Sequence, residues 1–346
     1  YLVNAVVHTR KYLCDMPAKQ NIDHSKSPLN VIISVDVELW PDNWDLGHTE
    51  FNRCLNKFIH GKTTSGNYGL GFQLAQLKEH NLKCVFFVES LFSGHYGIGP
   101  LQEIVAQIQE AGQEVQLHLH TEWLGRGRFH NPLNKTGYNL FNFNQAEQQL
   151  LICQGKEFLA QAGADNLLAF RAGNFGSNLQ TLEAVPQAGF IFDSSINPRF
   201  YIKNGLDTPL HVEEYKEGIY EFPLTIFKEW GGRLSQFQFG GSCSFKEMAN
   251  LIRQAWINEW HSVVILSHGS ELLNRAKTRP DKIVVDRFVQ TCRFLANNRD
   301  LFKTIWFSDI QPETIYAKSK ESCVLQSGFI NTAHRYLEQT TRRLYG

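Results

Sequence analysis

The sequence predicts an α/β fold built mainly from parallel strands, and three observations carry that expectation. Short β-rich runs alternate with stretches of helical period along most of the 346 residues. About seven or eight such repeats, unequal in length, suit a (β/α) barrel or a doubly wound sheet and not a solenoid. Ionisable residues also stand at the carboxyl ends of most strands, where both architectures place their chemistry.

Strands are expected at 30–37, 82–89, 113–118, 167–171, 190–193, 219–223, 262–268 and 303–307. Helix 70–80 carries Leu70, Leu74 and Leu77 on one face, and helix 101–111 carries Leu101, Ile104, Val105 and Ile108, with Gly112 placed to stop it. Helices at 144–162, 179–188, 244–260 and 281–298 complete the set, with Asn144 and Ser244 as N-caps. The strands end on Asp36 and Glu38, His118, Arg171, Asp193, Glu221 and His268. Two stretches fall outside the repeat: 39–67, with Trp40 and Trp44, and 201–241, with Trp230 and the alternating Phe237 and Phe239. Long aromatic insertions at a catalytic face read as walls or lids. The expected organisation is an N-terminal extension (1–29), a catalytic domain (30–310) containing both insertions, and a helical tail (311–346), peripheral or unpacked.

Composition narrows the partners. Lys+Arg and Asp+Glu are each 34, so no basic excess favours nucleic acid or an anionic membrane. At 42% hydrophobic and 20% charged residues the chain is not disordered. Trp and Tyr beyond the needs of the core suit the flat faces of sugars. The seven cysteines contain no C-x-x-C pair, which removes zinc-finger and dithiol readings and leaves them as buried small hydrophobes in a reducing compartment. No apolar run is long enough to span a bilayer, and residues 1–10 lack a signal-peptide core. The expected location is cytoplasmic, although a chain opening on Tyr1 would not show a leader already removed.

In Ser34-Val35-Asp36-Val37-Glu38 the period of two sends both carboxylates to one side of a strand, where a metal ion or an arginine must separate them. The alternative is a pair of solvated acids past the strand end. In His118-Leu119-His120-Thr121-Glu122-Trp123 two imidazoles share a side and Glu122 follows four residues after His118. Imidazole and carboxylate together form the ligand set of Zn²⁺ or a similar divalent ion in an open site of three protein ligands and water. His268, just past an apolar strand, has the position and titration range of a general acid. Ser267 beside it points to the opposite face, and no G-x-S-x-G elbow occurs. Arg171 is suited to orient a carboxylate or hold an oxyanion.

These residues resemble the polysaccharide deacetylase family with the NodB homology domain over roughly 31–310, with five motifs in the family's order. The resemblance implies a distorted (β/α) barrel of seven or eight mainly parallel strands. Asp36-Val37-Glu38 resembles the Asp-x-acid variant of the first motif, which implies Asp36 as general base and Glu38 as metal ligand. Cys84-Val85-Phe86-Phe87-Val88 resembles the family's second strand, and His118 matches the first metal histidine. Phe170-Arg171-Ala172-Gly173 is similar to the motif whose arginine orients the base, with Gly173 where Pro is usual. Phe192-Asp193-Ser194-Ser195, Glu221-Phe222-Pro223 and Leu266-Ser267-His268 resemble the later motifs, the last implying His268 as general acid. The family's second metal histidine, four residues after the first, is replaced here by Glu122. Glu122 is therefore the first choice for the third ligand and His120 the second, with loss of the metal as the remaining option.

What the resemblance implies is a metal-dependent hydrolase, with Zn²⁺ as the expected ion, that removes N- or O-acetyl groups from a carbohydrate. Trp40, Trp44 and Trp123 are candidates to stack on sugar rings, and Asn174 and Asp193 complete the expected substrate-facing set. The alternatives are an amidohydrolase acting on a small C–N substrate and a catalytically inactive carbohydrate-binding relative.

Overall fold

The computed structural model describes residues 26–44, 47–126, 131–201, 210–215, 218–317 and 324–345. Most of the expected N-terminal extension, residues 202–209 and 216–217 of the second insertion, and Cys14 and Cys323 lie outside the described residues.

The strands are β1 (Leu29–Val37), β2 (Lys62–Thr63), β3 (Gly66–Asn67), β4 (Val85–Glu89), β5 (Glu114–Leu119), β6 (Ala169–Ala172) and β7 (Phe192–Asp193). They continue with β8 (Glu213–Glu214), β9 (Tyr220–Glu221), β10 (Ile226–Lys228), β11 (Leu234–Gln236), β12 (Ser262–His268), β13 (Phe302–Thr304) and β14 (Leu325–Gln326). The helices are α1 (His48–Cys54), α2 (Leu70–Glu79), α3 (Ser93–Tyr96), α4 (Gly99–Glu110) and α5 (Gln145–Gln161). After them come α6 (Leu179–Gln187), α7 (Pro198–Tyr201), α8 (Phe245–Ile257), α9 (Lys282–Ala296) and α10 (Phe329–Tyr345).

One curled sheet in the order β12-β1-β4-β5-β6-β7-β9-β8, with β13 also on β1, makes a mostly parallel half-barrel. Only β8 runs antiparallel to its neighbour. The chain adds strands outward from β1 and then returns to its other side with β12, so loops leave β1 and its neighbours in opposite directions and open a crevice above them. The β12 edge is covered by the second insertion: Leu266 N donates to Phe237 O at 2.8 Å, and Val264 N donates to Thr225 Oγ1 at 2.9 Å. Segments expected to be irregular are thus ordered, with β10, β11 and β14 forming a second small sheet and α1 and the β2–β3 hairpin shaping the first insertion.

The expected elements recur with shorter bounds, and the trimming has local causes. Lys83 N and Cys84 N donate to the side chains of Thr304 and Gln113 instead of a neighbouring strand, so β4 starts at Val85. Pro223, with no N–H, lies beyond the end of β9. Asn144 and Ser244 cap α5 and α8 through reciprocal bonds with Glu147 and Glu247. Among the described cysteines Cys54, Cys84, Cys243 and Cys292 are buried, but Cys153, on α5, is exposed, contrary to expectation. No helix among the described residues is long and apolar enough to cross a membrane.

Alternation along the strands sorts side chains into two layers. Val31, Ile33, Val35 and Val37 of β1, with Phe86 and Val88 of β4, join the outer core beneath the helices. Ile32, Val85, Phe87, Val264 and Leu266 face the inside of the curl. Four phenylalanines fill that interior: Phe307 lies 5.9 Å from Phe87, 5.3 Å from Phe192 and 5.3 Å from Phe222, centroid to centroid. The same inward parity continues upward into Ser34, Asp36, Glu89, His118 and Arg171, so the polar residues sit on an apolar floor.

The tail helix α10 docks on the domain through ion pairs. The buried Arg335 meets Glu247 at 2.8 Å and Glu229 at 2.9 Å, and Arg287 meets Glu338 at 2.5 Å.

Because Phe222 is fully buried in the aromatic floor, Phe222→Ala should lower unfolding stability by about 3–5 kcal/mol in urea titration. A loss below about 1 kcal/mol would show that the floor is not close-packed.

Candidate metal centre

Strand register assembles the site. Asp36 pairs with His268 across β1 and β12, Glu89 with His118 across β4 and β5, and His118 with Arg171 across β5 and β6. All five project inward from the carboxyl ends of adjacent strands.

Arg171 is 1% exposed and uses its whole guanidinium. Nη1 donates to Asp36 Oδ1 at 2.7 Å and to Ser34 Oγ at 3.0 Å. Nε and Nη2 donate to the carbonyl and hydroxyl of Ser194 at 3.1 and 2.9 Å, and the group lies 4.1 Å over the Phe87 ring. One oxygen of Asp36 is thereby held. The other, Oδ2, is 3.9 Å from His118 Nε2.

The backbone oxygen of Arg171 accepts from His118 Nδ1 at 2.9 Å. A carbonyl can only accept, so Nδ1 carries a proton and Nε2 is the ring atom turned to the cleft. Glu38 Oε2 lies 3.5 Å from that Nε2 and 2.8 Å from His120 Nε2. Ligand atoms of Glu38, His118 and His120 all fall within 4.8 Å of one another. Two imidazole nitrogens and a carboxylate oxygen, each ring nitrogen backed by an acceptor, fit a divalent metal site with open positions.

Glu122, the first choice from spacing, stands outside this group. The chain leaves the strand after His120 and turns through the 3₁₀ segment Thr121–Trp123, so Glu122 no longer follows the inward alternation. Its carboxylate instead accepts from His120 Nδ1 at 3.2 Å and from Asn174 Nδ2 at 2.6 Å. His120 is thus braced from behind by Glu122. Gly173 reports the same arrangement, since a Cβ there would lie 2.5 Å from His120 Nδ1. Glu122 and Gly173 thus both accommodate the His120 ring, one as its acceptor and the other by lacking a Cβ.

Charge balance follows from these contacts. Burial pulls the His120 imidazole down, but Glu122 and Glu38 on its two sides outweigh it and push it up to about 10. Burial alone would raise Glu38, yet His118, His120 and the His268 charge hold it well below the usual carboxylate range. For His268 burial again acts downward and is outweighed by Glu38, Glu271 and Asp36, so its imidazole is shifted up. His268 Nε2 faces Glu38 Oε1 at 3.9 Å across the cleft.

The cleft has a volume of about 400 Å³. Asp36, Glu38, Trp40, His118, His120, Asn174 and His268 line it together with Phe175, Phe200, Gln236 and Gln238. Trp40 stands edge-on to His120 at 4.6 Å. Asn174 lines the cleft as expected, whereas Trp123, Trp44 and Asp193 are elsewhere. Trp123 is 1% exposed and buried against Phe92 and Tyr96, because its place in the 3₁₀ turn points it into the core. Trp44 packs on Trp123 at 5.1 Å and beneath Arg126. Asp193 is fully buried, accepting from Ser195 Oγ at 2.6 Å beside Glu221, and burial raises both carboxyls.

Several site residues escaped the sequence reading. Phe237 and Phe239, taken there as wall aromatics, are buried, and the intervening Gln236 and Gln238 line the cleft. Parity was the available signal, with the apolar residues marking the core side. Glu89 ends β4 fully buried, accepts from Leu91 N at 2.7 Å, and is raised by burial to about 8. It shares the inward parity of Phe87. Ser34 shares the inward parity of Asp36 and Ser194 lies in the segment Phe192-Asp193-Ser194-Ser195, but neither was expected to hold Arg171.

No family model matches this sequence, and no curated protein matches it. Solved structures do match its fold. A protein from Mycobacterium smegmatis described as a polysaccharide deacetylase superposes with a TM-score of 0.52 at 15% identity, over 87% of this chain and 96% of that one. The 4-alpha-glucanotransferase of Thermococcus litoralis superposes with a TM-score of 0.53 at 10% identity, over 87% of this chain and 42% of that one. A family 4 carbohydrate esterase from Streptomyces lividans, at 14% identity, covers 84% of this chain and 95% of that one with a looser TM-score of 0.40. Identities this low speak to architecture alone. With its half-barrel order, its inward strand ends and its likeness to the Mycobacterium smegmatis structure, the chain has the NodB-like deacetylase barrel fold.

Proposed function

We propose that this protein is a metal-dependent hydrolase that removes N- or O-acetyl groups from a carbohydrate. The observation that carries the reading is the convergence of Glu38, His118 and His120 beside Asp36 and His268 in one cleft. The likeness of fold to a polysaccharide deacetylase supports it.

Glu38 Oε2, His118 Nε2 and His120 Nε2 would hold the ion, Zn²⁺ or a similar divalent cation. When bound, it supplies Lewis-acid polarisation of the acyl oxygen and of water. Asp36 then takes the proton of the attacking water on Oδ2, its other oxygen being occupied by Arg171. Arg171 is a positioning residue, fixing Asp36 while its carbonyl fixes the tautomer of His118. His268 donates its Nε2 proton to the departing amine or alkoxide; burial works against its charged form, but the Glu38, Glu271 and Asp36 carboxylates outweigh it and favour the protonated ring. Trp40, Phe175 and Phe200 give the acylated unit apolar walls, and Gln236 and Gln238 offer amides to its hydroxyls.

A small-amide substrate is the second reading. It is favoured by the cleft's volume of about 400 Å³, which takes a single sugar unit or a small ring, and by Trp40 being the one of the three expected tryptophans that lines it.

Metal titration of the purified chain tests the ligand set. His120→Ala should lower Zn²⁺ affinity more than Glu122→Ala, which removes a brace and should cost about 10–100-fold. Full retention of affinity in His120→Ala, with loss in Glu122→Ala, would reverse the assignment.

Affinity should also rise with pH. His120 is protonated below about 10 in the metal-free protein and must give up that proton to ligate. Each unit of pH gained between 6 and 9 should therefore tighten binding by about tenfold, read by competition with a chelator of known affinity. A flat profile would remove His120 from the ligand set.

For catalysis, Asp36→Asn and His268→Ala should each lower kcat by about 10²–10⁴-fold with metal content unchanged. The assay is acetate release from acetylated amino sugars and glycans. No acetate from the metal-loaded wild type would discard the glycan reading.

A further inference from the structure

A second cavity, of about 1010 Å³ against about 400 Å³ for the cleft, adjoins the site and takes no part in the chemistry described above. A shared wall separates the two: on β11 Ser235 lines the cavity and Gln236, on the opposite face of the strand, lines the cleft, and on α7 Arg199 lines the cavity and Phe200 the cleft.

Arginines dominate this second space. Arg199 comes from α7, Arg233 from the turn between β10 and β11, and Arg275 from the loop after β12, while α10 contributes Arg335, Arg342 and Arg343. Spacings of seven and eight residues place the last three on one helix face. The chain as a whole is neutral, with 34 basic and 34 acidic residues, so the concentration is local and not a by-product of composition.

Two of these charges are already matched. Arg335 is buried against Glu229 and Glu247, and Arg342 pairs with Asp281 at 2.6 Å. Arg199, Arg233, Arg275 and Arg343 make no ion pair among the described residues. Arg199 Nε is moreover buried with no hydrogen-bond partner there, a donor left over on the wall nearest the cleft. Unpaired guanidinium groups brought to one cavity from four elements are complementary to phosphate or carboxylate oxygens, which the planar fork grips two at a time.

We propose that this cavity is an anion site that takes a ligand bearing two or more phosphate or carboxylate groups.

The test is calorimetric titration of the full chain with tripolyphosphate and, separately, with a short oligogalacturonate, for wild type and for the triple variant Arg233→Ala/Arg275→Ala/Arg343→Ala. These side chains lie outside the metal centre, so an unchanged Zn²⁺ titration shows that the variant is folded. Wild type should bind at least one probe, and the variant should bind it about tenfold or more weakly, with the difference shrinking at high salt. The probe bound more tightly identifies phosphate or carboxylate as the group. Absence of binding of both probes by wild type, or equal binding by the variant, overturns the site. Arginine-dependent anion binding in a chain that holds no metal would sustain the site while the deacetylase reading fell.

Discussion

The buried pair of Arg171 and Asp36 is the interaction on which the rest of the site depends. A guanidinium at 1% exposure is tolerable only if each nitrogen is satisfied, and here strand β1, the segment after β7 and the ring of Phe87 meet it from three directions. Removing one partner of such a pair commonly costs about 3–5 kcal/mol, because the other charge stays buried and uncompensated. The pair therefore ties sheet packing to site geometry. It also orients two side chains at once, since the guanidinium of Arg171 holds Asp36 while its carbonyl holds His118.

Above that anchor the site concentrates acids and imidazoles that would repel or desolvate one another if they were not interleaved. Glu38 lies between His118 and His120, and His120 lies between Glu38 and Glu122. Each carboxylate is lowered and each shifted imidazole raised by its neighbours, so the metal-free centre holds its charges as alternating partners. Glu38 and Glu122, on its two sides, stabilise the proton on His120. Below, the close-packed phenylalanine floor gives the buried charges a stiff apolar support.

Two kinds of residue explain how far the sequence could be read. Along β1, β4, β5, β6 and β12 a period of two is enforced by the pleat, so the placing of Asp36 and Glu38, of His118 and His120, and of Arg171 on one side followed from counting alone. Gln236 and Gln238 obeyed the same rule beside the buried Phe237 and Phe239, although the aromatics drew the expectation to the wrong face. Glu122 and Trp123 did not obey it. They lie past the strand end in a 3₁₀ turn, where spacing in sequence no longer gives direction in space.

The sequence by itself determined the α/β class, the strand and helix order, the capped starts of α5 and α8, and the inward set of ionisable strand ends, because each rests on a local period or a local hydrogen bond. Only the tertiary structure decided that His120 and not Glu122 faces Glu38 and His118, that Trp123 and Asp193 are buried, and that α10 docks through Arg335. It also brought Arg199, Arg233, Arg275 and Arg343 to one cavity from elements far apart in the chain. Those outcomes depend on loop paths and on the satisfaction of buried charge, which are set by neighbours distant in sequence and by no repeat within it.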